Sequence, residues 1–160
     1  MSFSSSGGKF ESALLHVRDE KSNNTVGGSF TNGAWQTRTL NTVMTNEISG
    51  ASLSSNQIIL PSGTYYIEAF APNGYGGAHK VKLRNITDSS DTLIGTNMYQ
   101  ESAQEVHFST SFVVGRFTIA AQKTFELQHR CGVTYSSGFG IASNFSVVEV
   151  YSNAMIWKVA

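Results

Sequence analysis

Four histidines, one cysteine and eleven carboxylates are the side chains in this sequence able to hold a metal or move a proton. The histidines are His16, His79, His107 and His129. No pair of them stands at zinc-ligand spacing with a cysteine or carboxylate, so no metal site is expected. His129 alternates with Leu127 and Cys131 and reads as an imidazole held by a hydrogen bond inside a core. His79 opens an extended segment just after a glycine loop and is a candidate ligand contact. Cys131 is the single thiol, so no intrachain disulfide forms, and it reads as a buried sulfur with no catalytic partner. Glycan hydrolysis needs two carboxylates facing across a cleft. The acidic residues here lie mostly in turns or opposite basic segments. The expectation is a non-enzymatic protein with no catalytic residues and no cofactor.

Three other groups bear on binding. Asp88-Ser89-Ser90-Asp91 is a turn whose spacing does not match a calcium loop, although calcium stays open as an alternative. Lys80, Lys82 and Arg84 form a basic stripe, suited to cross-strand charge pairing or to a sulfated or phosphorylated glycan. Gly74-Tyr75-Gly76-Gly77 lacks the Lys-Ser/Thr that would follow in a phosphate loop and reads as a tip displaying Tyr75. Tyr135-Ser136-Ser137-Gly138-Phe139-Gly140 is a second tip. Tyr75, His79, Tyr135 and Phe139 are therefore the candidate ligand-binding residues, the alternative being that these aromatics fold back onto the core.

Many short strands must position these groups. Charged residues are 14% of the chain, and glycine, serine, threonine and asparagine fill the gap. Strand patterns fall at 12–18, 34–40, 57–60, 64–71, 79–85, 92–99, 106–120, 124–131 and 144–159, with turn residues at each break. Residues 41–56 are polar and ambiguous. Regular short strands with polar turns suggest a sandwich or barrel in one domain, residues 12–160. Residues 1–11 are small and polar and read as a flexible arm, with Phe3 and Phe10 as its attachment points. The opening has no basic and apolar run of a signal peptide, and no segment nears the ~18 apolar residues that span a bilayer. Net charge is zero, so no field draws the chain to nucleic acid or membrane.

Alternation within the strands separates two kinds. Phe125, Leu127, His129 and Cys131 share one face of 124–131 and polar residues the other, as in 79–85. Other strands are apolar on both faces. Tyr66 and Phe70 oppose Tyr65, Ile67 and Ala69. Phe112 and Val114 oppose Val113, Phe117 and Ile119. Val147 opposes Val148 and Val150, and Leu14 opposes Ala13, Leu15 and Val17. One face of each packs the core. The other needs cover, from a second copy or from a loop such as 41–56.

These segments carry a resemblance. Leu60-Pro61-Ser62-Gly63-Thr64-Tyr65-Tyr66-Ile67, Phe125-Glu126-Leu127-Gln128 and Phe145 to Val150 followed by Trp157 resemble C1q/TNF-like domains. Leu15-His16-Val17-Arg18-Asp19, Gly33-Ala34-Trp35-Gln36-Thr37-Arg38, His79 through Asp88 and Phe125 through Cys131 resemble jelly-roll head domains of tail and virion proteins in bacteriophages and prophages. The resemblance runs from about Leu14 to Lys158. It implies an all-β jelly-roll sandwich of two antiparallel sheets with about ten strands. It also implies a homotrimer, with Leu15, Tyr66, Phe70, Phe112, Val114, Val148 and Val150 at the interface. The implied role is a virion accessory protein, made in the host cytoplasm and docked on a capsid or tail protein through residues 1–11. The alternative is a fibre tip that binds a host-surface glycan or protein.

Overall fold

In the computed structural model the described residues are 12–75, 77–99 and 108–160. Phe3, Phe10 and His107 lie outside them. Among the described residues there are eleven strands: β1 (Ala13–Lys21), β2 (Gln36–Thr37), β3 (Thr42–Asn46), β4 (Ser52–Ser54), β5 (Gln57–Leu60), β6 (Gly63–Gly74), β7 (His79–Asn85), β8 (Ser90–Ile94), β9 (Phe108–Ile119), β10 (Lys123–Cys131) and β11 (Glu149–Lys158). Every pairing between them is antiparallel. One sheet runs β3-β1-β11-β6-β9 and the other β4-β5-β10-β7-β8, with β2 beside β10. No helix among the described residues is long and apolar enough to cross a membrane.

The core lies between the sheets, where the alternation expected it. Leu15, Val17, Tyr65, Ile67, Ala69, Val113 and Ile156 come from one sheet. Ile58, Leu60, Val81, Leu83, Phe125 and Leu127 come from the other. Leu15 is fully buried there, so it cannot contact another copy. The strand's phase places its neighbour Leu14 on the outer face instead.

Residues 41–56 do not fold over a sheet. They form β3 on the edge of one sheet and β4 on the edge of the other. Both strands are short and mostly exposed, which is why their polar sequence gave no alternation to read.

The opposite rim is held by a cross-sheet seam. Gly95 N donates to Val81 O of β7 at 2.9 Å, and Thr96 N donates to Phe112 O of β9 at 2.8 Å. Ser111 Oγ donates to Thr96 O at 2.7 Å and accepts from Val81 N at 3.0 Å. A Cβ on Gly95 would lie 2.4 Å from Val81 O and 2.6 Å from Phe112 O, so only glycine fits this passage.

Candidate functional site

The outer face of the β3-β1-β11-β6-β9 sheet is where an unsatisfied surface gathers. Register lines its residues into rows. Leu14, Trp157, Tyr66 and Arg116 form one; His16, Met155, Glu68 and Val114 the next; Arg18, Asn153, Phe70 and Phe112 the third. Tyr66 and Trp157 rings lie 6.2 Å apart and Phe70 and Phe112 rings 6.1 Å apart. His16 Nε2 lies 3.0 Å from Asn153 Oδ1. Phe112 is 47% exposed and Val114 53%. Val148, Val150, Phe70 and Phe108 line one groove of about 390 Å³ beside these rows. Exposed aromatic and valine side chains gathered on one face, with polar residues among them, mark an interaction surface. Six of the seven interface residues expected from the sequence meet here, Leu15 being the exception. Leu14, Phe108 and Met155 join them. Phe108 was hidden because its strand is read from 106 without a fixed phase.

Polar groups brace this sheet from inside. Arg38 is fully buried. Its Nε donates to Ser152 Oγ of β11 at 2.8 Å, and its guanidinium donates to Pro72 O of β6 at 3.2 Å and Phe139 O at 2.9 Å. Burial pulls its pKa down to about 9 against the opposing pull of Asp19, so it stays charged at neutral pH. Asp19 is buried too, and burial raises its pKa. Lys21 Nζ lies 3.1 Å from Asp19 Oδ1, an ion-pair distance that lacks hydrogen-bond geometry. Glu149 accepts from the amides of Asn24, Ser143 and Asn144 at 2.9 to 3.1 Å. Those amide bonds hold its pKa down to about 2 and anchor the loop that presents Val148.

The tip residues divide. Tyr75 and Tyr135 are half-buried and pack against each other with ring centroids 5.2 Å apart and planes tilted by 45°, so the two tips form one end of the sandwich. Phe139 does not reach ligand. It is 7% exposed, packs on Phe30 at 4.7 Å and lies under the Arg38 guanidinium at 3.9 Å. A glycine-rich loop can turn its aromatic either way, and here the buried cation draws it in. His79 is nearly buried and borders a cleft that Lys80 and Arg130 also line. Its ring nitrogens lie 2.9 Å from His129 Nε2 and 2.7 Å from Ser109 Oγ. Burial lowers the pKa of His79 to about 4 and of His129 to about 2, with the Arg38 charge adding to both. Cys131 is buried, and burial raises its pKa.

The basic stripe faces outward beside the strand bearing Glu126, but Glu126 does not neutralise it. Its carboxylate accepts from Thr37, Gln57 and Gln128. Asp91 takes Lys82 at 2.8 Å and Arg84 at 2.9 Å, and Asp88 takes Lys123 at 2.6 Å. Both turn carboxylates are thus committed to cations. Among the described residues no cluster of three or more histidines, cysteines or carboxylates could hold a metal.

No protein-family model matches the chain, and no curated protein matches it by sequence. Solved structures do. Murine APRIL at pH 5.0 superposes with a TM-score of 0.61 at 7% identity, covering 92% of this chain and 99% of that one. The globular domain of the zebrafish complement 1qA protein gives 0.59 at 11% identity, covering 94% and 98%. The chain has the C1q/TNF-like jelly-roll fold. At such identities the likeness fixes the architecture alone, and the two-sheet sandwich expected from the strand pattern agrees with it.

Proposed function

We propose that the chain is a non-enzymatic jelly-roll head that works as a homotrimer and serves as a structural module of a bacteriophage virion. The outer apolar face carries this reading. Its aromatic and valine rows have no cover from residues 41–56, and identical copies are the simplest surface of matching chemistry. The sequence resemblance to phage head domains supports the placement on a virion, docked to a capsid or tail protein through residues 1–11. Mass measurement in solution tests the assembly. Three times the 17.3 kDa chain is expected, and a species of one chain mass at high concentration would overturn it. For the virion placement, purified particles carrying a labelled chain should show it on their surface. Deleting residues 1–11 should strip it while leaving it folded, and undiminished attachment would count against that docking.

A second reading is a host-binding fibre tip. The Tyr75–Tyr135 ring pair at one end of the sandwich favours it. Tyr75→Ala should then reduce adsorption; unchanged adsorption removes this role for the pair.

A further inference from the structure

We propose that the outer face of the β4-β5-β10-β7-β8 sheet carries a binding site for an anionic saccharide, centred on Lys80 and Arg130. The site lies on the other sheet from the apolar face, so it stands whether or not the chain trimerises.

Lys80 and Arg130 are direct cross-strand partners in the β7–β10 register. Their sequence neighbours His79, Val81, His129 and Cys131 are buried, so both cations project to the outside. Like charges set opposite each other destabilise a sheet. The same ladder avoids that cost elsewhere: Glu126 stands opposite Arg84 and Gln128 opposite Lys82. Lys82 and Arg84 also share Asp91. Among the described residues neither Lys80 nor Arg130 has a carboxylate at ion-pair distance. A bound anion would relieve their repulsion.

The surroundings specify the kind of anion. Both cations line a cleft of about 660 Å³ together with Asn32, Trp35, Asn97 and Tyr99, and among the described residues no carboxylate lines it. That volume falls in the range of about 300–1,000 Å³ usual for small-molecule sites. Lys82 Nζ sits 4.1 Å over the Trp35 ring and holds the indole in place. Tyr99 is 74% exposed. Aromatic faces receive the C–H surface of a sugar ring, carboxamides bond its hydroxyls, and the two cations take a carboxylate or sulfate. A bare inorganic anion would leave the aromatics without a role. A neutral sugar would leave the repulsion in place. A sugar bearing a negative group uses the whole set.

Calorimetric titration of the full chain tests this with four probes: an oligogalacturonate, its methyl ester, a sulfated disaccharide and inorganic sulfate. The uronate, the sulfated sugar or both should bind, and which of them does identifies the source of the negative group. The methyl ester should bind about ten-fold or more weakly than the uronate, and Lys80→Gln or Arg130→Gln should cost a similar factor. Lys123→Gln, on a remote cation, should change nothing. Each cleft variant should melt at or above the parent temperature, because it removes a like-charged cross-strand pair; that separates lost binding from lost folding. The proposal is overturned if neither charged sugar binds, if the ester binds as well as the uronate, if inorganic sulfate binds as tightly as the sugars, or if both cleft variants bind like the parent.

Discussion

The two sheets pack their inner faces alike and differ on their outer ones. The outer face of β7 and β10 is a charge ladder, with cations held by Asp91 and a glutamate held by neutral donors. The outer face of β11, β6 and β9 carries exposed aromatic and valine side chains, with Glu68, Arg116 and Asn153 set among them. Both faces belong to strands with equally apolar inner sides, so core formation explains neither difference. Water suffices as a neighbour for the rungs held by Asp91 and Glu126. The rows are satisfied only by another apolar surface.

The largest effect should follow from charging the apolar face. Phe112→Glu with Val114→Glu should weaken self-association by about 100-fold or more, since buried like charges set beside Glu68 cost several kcal/mol. Sedimentation should show single chains, while Lys80→Glu on the charge ladder leaves the mass unchanged. Equal loss from both would erase the distinction between the faces.

Adjacent residues on β1 sharpen it. Leu15→Ala should cost about 3 kcal/mol in denaturant unfolding, because it empties a fully buried site. Leu14→Ala should weaken assembly more than it weakens the fold.

The interior should report through pH. His79 and His129 have folded pKa values lowered to about 4 and about 2, whereas an unfolded histidine titrates near 6.5. Between those limits the unfolded chain binds more protons, so stability falls as pH drops below about 6.5 and goes on falling to about pH 4. Each histidine steepens the fall by up to about 1.4 kcal/mol per pH unit. His79→Gln with His129→Asn should flatten it in denaturant melts taken between pH 7 and pH 4.

The smallest effect belongs to the charge ladder. Bonds from Lys82 and Arg84 lower the pKa of Asp91, so its contribution is present above the ordinary carboxylate range and is lost as pH falls below it. Asp91→Asn should cost under about 1 kcal/mol by thermal melting. The same change should lengthen retention on an anionic resin, because two cations lose their partner.

Much of this is legible in the sequence. Gln57–Leu60 and His79–Asn85 match their strands to the residue, because turn residues bracket clear patterns. The inner and outer sides of β6 and β9 followed from alternation. Leu14 and Leu15 did not sort themselves. Both are leucine, and composition cannot set the phase of a strand that is apolar on both sides. Arg38 was invisible as a core residue because arginine is seldom fully buried, and its partners lie 34 to 114 positions away. The Lys80–Arg130 contact was equally hidden, since it exists only through the pairing of two distant strands.

The seam at Gly95 and Thr96 has a consequence for how copies can add. Fibril growth recruits strands onto an unclaimed row of amides. Along this rim the Phe112 amide is already bonded to Thr96 Oγ1 and the Thr96 amide to the Phe112 carbonyl, so the two sheets are buttoned together. An incoming strand finds no docking row at that point. Along this stretch stickiness belongs to the flat surface instead of the margin, and surfaces related by a whole fraction of a turn close on themselves after a fixed number of members.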